Sequence, residues 1–213
     1  MKLIAIPSGP IETNAWLLVN NENGEAVLFD APPQSYDLIM EKLAEQGCNL
    51  KGLFITHGHW DHMLDAYRFA EDGVPVYAHE DGKVFMEKPE SMSLYAMPGL
   101  EWRGCSISNP VGDGEKIELA STTFEVRTAP GHCPGSIVIY IEDLKTAITG
   151  DVIFRGSIGR TDLPGGSFDL LQNHIQKKVY TLPDDVSLCP GHGPETSVRF
   201  EKANNPFVRA EKR

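Results

Sequence analysis

The stretch Thr56-His57-Gly58-His59-Trp60-Asp61-His62 places three imidazoles and one carboxylate within seven residues. It directly follows Gly52-Leu53-Phe54-Ile55, a short apolar run with the composition of a buried strand. Buried side by side without a metal, such groups repel one another when charged and lack hydrogen-bond partners when neutral. The stretch therefore predicts a metal site at the end of a strand.

Three more polar residues stand in the same local setting further along the chain. Each follows a glycine and comes shortly after a predicted strand: they are His132, Asp151 and His192. Glycine lets the backbone bend to aim the next side chain, and the strand holds that side chain rigidly. Together with the first stretch they give seven candidate ligands, namely His57, His59, Asp61, His62, His132, Asp151 and His192.

The directions and types of these ligands predict two metals. His57 and His59 alternate along extended backbone and can point the same way, whereas Asp61 and His62 enter a helix and point elsewhere. Imidazole nitrogen and carboxylate oxygen ligands favour zinc, iron or manganese. The absence of thiolate argues against a purely structural zinc site. The two remaining histidines lack such neighbours, and we interpret them as ordinary hydrogen-bonded residues.

Length and composition predict one globular domain over residues 1–213, with 41% hydrophobic and 23% charged residues. The formal net charge of -11 argues against nucleic acid or an anionic membrane as a partner. No apolar run is long enough to span a bilayer and the N-terminus lacks a signal-peptide core, so we expect a cytoplasmic protein. The four cysteines form no C-x-x-C pair, which favours reduced thiols.

The pattern of apolar runs and turns predicts two sheets packed face to face with helices outside. A helix capped by Ser35 and stopped by Gly47 follows the third strand. A second helix begins at Asp61 and runs to about Glu71. Residues 87–114 are predicted as a long connection, either a flap over the site or a surface excursion. The predicted strands are 2–6, 15–19, 26–29, 52–55, 76–78, 116–119, 123–128, 136–141, 146–149 and 186–189, and further helices cover about 80–86 and 169–180.

The ligand motifs resemble those of the metallo-β-lactamase fold superfamily in identity and order. They are His57-x-His59-x-Asp61-His62, Gly131-His132, Gly150-Asp151 and Gly191-His192. The resemblance implies an α/β (α+β) fold, an αββα sandwich of two mixed sheets flanked by helices, with the site at one edge of the sheets.

The resemblance also implies a role for each candidate ligand. One metal would be held by His57, His59 and His132, and the other by Asp61, His62 and His192. Asp151 would bridge the two. The implied cofactors are two divalent metal ions, with zinc as the first choice and iron or manganese as alternatives. Asp30 matches a position that supports the histidine loop by hydrogen bonding to a ligand imidazole.

Residues 154–162 and the turn Gly191-His192-Gly193-Pro194 are similar to short bacterial glyoxalase II-like proteins. These resemble hydroxyacylglutathione hydrolases, which cleave S-lactoylglutathione. Arg160 falls where the longer enzymes carry a basic residue that contacts glutathione. Alternatively, Arg160 pairs with Asp162. Pro194 departs from the pattern, because those enzymes have a tyrosine there.

The resemblance favours a hydrolase that cleaves a small-molecule acyl thioester, with glutathione as one candidate carrier. Two metals would activate a water that attacks the thioester carbonyl, with Asp61 and Asp151 as catalytic residues. A thiolate of parent pKa about 8.5 leaves without a proton donor, which suits a site with no dedicated general acid.

Other activities share these motifs. Persulfide dioxygenases resemble the chain and use one iron held by residues that match His57, His132 and Asp151. Hydrolysis of another ester, such as a lactone, and a non-enzymatic metal-binding module are further alternatives. The sequence does not predict the oligomeric state.

Overall fold

The apolar runs of the first half of the chain form a six-stranded sheet in the computed structural model, which describes residues 1–95 and 99–210. Its strands lie side by side in chain order. β1, β2 and β3 pair antiparallel, and β4, β5 and β6 are added in parallel, so the sheet is mixed. The strands are β1 (Lys2–Ser8), β2 (Thr13–Asn20), β3 (Glu25–Phe29), β4 (Asn49–Phe54), β5 (Val76–Ala78) and β6 (Asn109–Pro110).

The second half of the chain builds another six-stranded sheet and a separate two-stranded hairpin. Its strands are β7 (Lys116–Leu119), β8 (Thr122–Thr128), β9 (Ile137–Ile141), β10 (Thr146–Gly150), β11 (Ile153–Phe154), β12 (Ser157–Ile158), β13 (Ser187–Pro190) and β14 (Thr196–Ser197). The sheet has the order β14-β13-β10-β9-β8-β7, and only β10 and β13 are parallel. The hairpin consists of β11 and β12.

Side chains that alternate along the central strands divide the core into layers. In β2, Leu17 and Val19 join the cluster under the helices of the first half, whereas Trp16 and Leu18 face the other sheet. β9 does the same, because Ile139 lies between the sheets while its neighbours pack under the helices of the second half. The helices are α1 (Tyr36–Gln46), α2 (Trp60–Met63), α3 (Ala66–Glu71), α4 (Lys83–Glu87), α5 (Phe168–His174) and α6 (Val198–Asn204). The predicted αββα sandwich is confirmed.

The structure corrects two predictions about the helices of the first half. Ser35 precedes α1 but makes no capping hydrogen bond, and its backbone is helical rather than extended. The Tyr36 N–H, at the first helical position, donates to Asp65 Oδ2 (3.0 Å). The helix predicted over 61–71 is split into α2 and α3. Ala31 causes the split: its carbonyl accepts from the Asp65 N–H (3.0 Å) and its N–H donates to the His62 carbonyl (2.8 Å). Gly47 ends α1 in the left-handed conformation, as predicted.

The connection predicted over 87–114 is more ordered than a loop. It contains a 3-10 helix, Pro89–Tyr95, and the short strand β6. Met92 is 1% exposed and belongs to the core, while Leu94 is 91% exposed. Met97 lies outside the described residues. Among the residues that the structure does describe, no helix has the length and apolar composition needed to cross a bilayer.

The second half contains elements that the sequence pattern did not predict. These are the hairpin β11–β12, the strand β14 and the helix α6. The helix predicted over 169–180 is also interrupted: after α5 the chain continues as a π-helical segment, Ile175–Val179.

Three phenylalanines join the two sheets, so we expect Phe124→Ala to lower the free energy of unfolding. The Phe124 ring lies 5.7 Å from Phe29 and 5.5 Å from Phe54, and all three side chains are fully buried. Removing the ring should cost about 3–5 kcal/mol, measured by urea denaturation. Val84→Ala is the control, since Val84 is 63% exposed. A loss of less than about 1 kcal/mol for Phe124→Ala would contradict this account of the core.

Candidate metal centre

Four loops that follow strand ends carry the candidate ligands. The histidine stretch follows β4, His132 lies between β8 and β9, Asp151 follows β10 and His192 follows β13. Backbone hydrogen bonds tie these loops across the two sheets. The Ile137 N–H donates to the Thr56 carbonyl (2.9 Å), and the Asn14 N–H donates to the Gly191 carbonyl (2.7 Å). The sheets therefore hold all four loops at one edge of the sandwich.

The structure brings the seven candidate ligands together, and we call them the donor cluster. Their donor atoms form three overlapping groups in which all atoms lie within 4.8 Å of one another. The groups are His57, His59, His132; His57, His62, Asp151; and Asp61, His62, His192. The middle group links the other two. Which group binds which metal stays a prediction.

One carboxylate orients two imidazoles of the donor cluster. Asp30, which is 1% exposed, accepts from His62 Nδ1 (2.7 Å), from the Thr56 N–H (2.7 Å) and from Thr56 Oγ1 (2.8 Å). Since the Thr56 hydroxyl donates to Asp30, it accepts from His57 Nδ1 (3.1 Å). Both imidazoles therefore carry their proton on Nδ1 when neutral, and each directs the lone pair of Nε2 into the cluster.

His132 is oriented in the same way by the backbone. Its Nδ1–H donates to the Arg160 carbonyl (2.7 Å), so its Nε2 is also an acceptor when the ring is neutral. His132 Nε2 lies 3.2 Å from His57 Nε2. Two lone pairs at this distance repel each other unless they share a cation. This contact is the strongest sign that the cluster is built for a metal.

Three buried polar atoms of the donor cluster have no hydrogen-bond partner. They are His59 Nε2, His62 Nε2 and Asp151 Oδ1. His62 Nε2 and Asp151 Oδ1 lie 3.2 Å apart without a hydrogen-bond geometry. Because buried orphan groups each cost free energy, a shared cation is the partner that fits both. The donor cluster therefore fits the divalent ions that its chemistry predicts.

Two glycines leave the space that the donor cluster needs. A Cβ on Gly191 would lie 2.4 Å from both Asp151 Oδ1 and His62 Cε1. A Cβ on Gly159 would lie 1.9 Å from the Asp151 carbonyl oxygen and 2.9 Å from the His132 ring. Any side chain at either position would displace a candidate ligand. Gly159 and Gly191 are therefore required for the geometry of the donor cluster.

Burial and neighbouring charges set the protonation of the donor cluster. Burial lowers the pKa of His59 to about 3 and holds the pKa of His57 well below its usual value, helped by the neighbouring histidines. Both imidazoles are thus neutral, the form that binds a metal. Burial also lowers the pKa of His62, but Asp151 and Asp61 outweigh this and raise it well above its usual value. The same carboxylates attract a cation.

The carboxylates of the donor cluster are ionised. Burial raises the pKa of Asp151, but the facing His62 imidazole outweighs it, and the net pKa lies below the usual value. The pKa of Asp61 shifts in the same net direction for the same reasons, with His192 as a further partner. Thr13 Oγ1 donates to Asp61 Oδ2 (3.1 Å), an interaction that the sequence did not reveal.

A cavity of about 540 Å³ opens on the donor cluster. Its walls include five of the candidate ligands, Arg160 and six apolar residues. The apolar residues are Ile11, Trp60, Met92, Phe154, Ile158 and Leu163. None of these six was singled out as a site residue from the sequence, because they come from separate segments that only the fold brings together.

Asp30 and Arg160 are the two other site residues predicted from the sequence. Asp30 occupies the supporting position described above. Arg160 lies at the cavity and forms the alternative contact predicted for it, since its Nε and one terminal nitrogen each donate to a carboxylate oxygen of Asp162 (2.7 Å). His79 and His174 lie outside the donor cluster. His79 accepts from the Asp81 N–H, and His174 Nδ1 donates to the Pro130 carbonyl.

The family model of the metallo-beta-lactamase superfamily matches residues 8–192. The chain belongs to this superfamily of metallo-hydrolases. The probable metallo-hydrolase YqgX of Bacillus subtilis is 35% identical to it over 98% of both chains. The hydroxyacylglutathione hydrolase GloC of Haemophilus influenzae is 32% identical over 99% of both chains. The superfamily resemblance seen in the motifs is confirmed.

Solved structures agree with this membership. The crystal structure of the BLEG-1 B3 metallo-beta-lactamase has a TM-score of 0.87 and 34% identity, and covers 97% of this chain and 99% of its own. The structure of TTHA1623 in a di-iron-bound form has a TM-score of 0.83 and 28% identity, with 96% and 100% covered. The fold binds divalent metals, and the donor cluster offers the histidines and aspartates for them.

We expect Gly191→Ala to weaken metal binding, because the added methyl would overlap Asp151 Oδ1 and the His62 ring. The metal affinity should fall by at least about tenfold, measured by competition with a chromophoric chelator. Gly112→Ala is the matched control, since its Cβ would meet nothing within 4 Å. Equal affinities in two variants with native circular dichroism would refute the assigned role of Gly191.

Asp30→Asn should lower the metal affinity by about 10–100-fold, since an amide cannot accept all three hydrogen bonds that position Thr56 and His62. The same chelator competition measures the change. Asp184→Asn is the control, because Asp184 forms an exposed ion pair with Lys202 away from the donor cluster. An unchanged affinity in Asp30→Asn would show that Asp30 does not orient a ligand.

Proposed function

We propose that this protein hydrolyses an acyl thioester with two divalent metal ions held by the donor cluster. It would be a glyoxalase II-like thioesterase that acts on S-lactoylglutathione or a related small-molecule thioester. The observation that carries the proposal is the set of unpartnered donor atoms beside an open cavity, whose wall includes His59 and Asp151. A purely structural site would be closed to substrate.

The proposed assignment of ligands follows the three groups of the donor cluster. His57, His59 and His132 would hold one ion, Asp61, His62 and His192 the other, and Asp151 would contact both. The bound ions would supply a water of lowered pKa as nucleophile and polarise the acyl carbonyl. Zinc is the first choice, with iron or manganese as alternatives.

Asp61 and Asp151 are the proposed catalytic residues, because both carboxylates border the cavity. Asp61 Oδ2 lies 3.2 Å from His192 Nε2 and accepts from Thr13 Oγ1, which fixes the orientation of this carboxylate. Both carboxylates are ionised, so each can accept a hydrogen bond from the attacking water and orient it. They would do so while also binding metal.

The residues around the cavity favour a leaving group that departs as an anion. Among the described residues that line it, Arg160 is the only titratable side chain outside the donor cluster. A guanidinium stays protonated and cannot serve as a general acid at neutral pH. A thiolate leaves without being protonated, since the parent thiol has a pKa of about 8.5, whereas an amine leaves poorly as an anion. This favours a thioester over an amide.

The relatives support the same chemistry. One of them is named a hydroxyacylglutathione hydrolase and matches the chain from end to end. The persulfide dioxygenase alternative would use only His57, His132 and Asp151. It leaves Asp61 and His192 without a role, although they lie 3.2 Å apart on the same cavity wall. We therefore rank thioester hydrolysis first and hydrolysis of another ester, such as a lactone, second.

The test combines metal analysis of protein purified without added metal with an assay of two thioesters, S-lactoylglutathione and butyryl-N-acetylcysteamine. We expect two divalent ions per chain and hydrolysis of at least one substrate. Asp151→Ala should lower kcat/KM by about a thousandfold and reduce the metal content, because metal ions supply several kcal/mol of transition-state stabilisation. Asp143→Ala, at an exposed position outside the cavity, is the control.

Two outcomes would overturn the proposal. Full thioesterase activity in Asp151→Ala would remove this carboxylate from the mechanism. One iron per chain, with oxygen consumption on glutathione persulfide and no thioester hydrolysis, would replace the hydrolase by a dioxygenase.

A further inference from the structure

The apolar wall of the cavity next to the donor cluster has no part in the mechanism above. It is assembled from separate segments of the chain. Ile11 lies in the turn between β1 and β2, and Met92 comes from the 3-10 helix of the long connection. Phe154 and Ile158 belong to the hairpin β11–β12, and Leu163 follows this hairpin. Apolar side chains from four segments thus meet at one polar site.

Hydrogen bonds from the C-terminal helix fix the hairpin that carries part of this wall. Glu201 of α6 is fully buried, and both of its carboxylate oxygens accept from the Gly156 N–H (3.1 Å). Asn205 donates to the Ser157 carbonyl (3.0 Å) and to Glu201 (2.8 Å). The turn of the hairpin is therefore anchored to the body of the protein. The part of the wall that this hairpin carries is therefore held in place by the protein itself.

Outside the donor cluster and the metal ions proposed for it, the charged side chain of the cavity wall is paired. Among the described residues that line it, Arg160 is the only cationic side chain apart from the histidines of the donor cluster. Arg160 makes a bidentate ion pair with Asp162. The hydrogen bond from Arg160 lowers the pKa of Asp162 to about 2, so this carboxylate is ionised at neutral pH. An anionic substrate would meet a paired cation and an adjacent negative charge.

We propose that the cavity binds an uncharged aliphatic group, so that aliphatic acyl thioesters of a neutral thiol are better substrates than S-lactoylglutathione. This inference rests on the proposed thioester hydrolysis and specifies its substrate class. Apolar walls favour groups that lose water on binding, whereas glutathione brings two carboxylates and an ammonium that would lose hydration without partners. Asp162 acts as a specificity residue that disfavours anionic thiols.

The first test measures binding of unreactive thioethers to the metal-containing protein by calorimetry. In the series from S-methyl- to S-hexyl-N-acetylcysteamine, the affinity should rise by up to about fourfold for each methylene that is buried. S-hexyl-N-acetylcysteamine should also bind more tightly than S-hexylglutathione. An affinity that does not change with chain length, or tighter binding of the glutathione thioether, would overturn the inference.

A pair of variants locates the aliphatic group. Ile11→Ser should weaken binding of the hexyl probe by about threefold to tenfold with a smaller effect on the methyl probe, since Ile11 lines the cavity. Leu38→Ser is the matched control, because Leu38 is a similarly exposed apolar residue on α1 outside the cavity. Equal effects of the two variants would place the probe elsewhere.

A second pair tests the ion pair. Asp162→Asn should raise the affinity for S-hexylglutathione by up to about fivefold relative to the neutral probe, since exposed ion pairs are worth at most about that factor. Asp184→Asn removes another exposed ion pair, with Lys202, and should leave this ratio unchanged. A ratio that does not respond to Asp162→Asn would remove Asp162 as a specificity residue.

Turnover separates this inference from the proposed function. Hexanoyl-N-acetylcysteamine should have a higher kcat/KM than S-lactoylglutathione. The opposite order would overturn the inference and leave thioester hydrolysis intact. If neither thioester is hydrolysed, the proposed function fails, and the binding series still decides whether the cavity selects uncharged aliphatic groups.

Discussion

The carboxylate of Asp30 ties the end of β3 to the histidine stretch that follows β4, and the geometry of the donor cluster depends on it. The backbone of Asp30 is left-handed (φ 61°), a conformation that is unfavourable for residues other than glycine. The hydrogen bonds that it accepts from Thr56 and His62 compensate for both this strain and the burial of a charge. One carboxylate thereby fixes the tautomers of His57 and His62, which share the middle group of the donor cluster and each belong to one of the other two groups.

The sequence predicted which residues meet in the donor cluster better than it predicted the elements that carry them. Imidazoles and carboxylates beside glycines at strand ends mark a site by chemical type alone, so His132 and His192 could be found without a structure. The break between α2 and α3 could not, because it arises from Ala31, which is distant in sequence. Met92, in the long connection predicted over 87–114, is buried in the core. Its burial depends on contacts that local periodicity does not contain.

The donor cluster lowers the local stability of the fold, and the surrounding strands offset this cost. The donor cluster gathers polar atoms that protein groups alone do not satisfy, which lowers local stability. The surrounding strands are buried on both faces, so the loops at this edge have a rigid support. The free energy of the core thus offsets the cost of assembling the site, and ligands that bind only the folded state add to stability.

The donor cluster also depends on the order of the chain. Asp61 and His192 approach each other across 131 residues of sequence, and each arrives from a different sheet. Contacts of such high sequence separation form late, because the loop between them must close first. A nascent chain that has made only the first sheet holds four of the seven donors and lacks the rest. The complete donor cluster therefore exists only once the two sheets have docked.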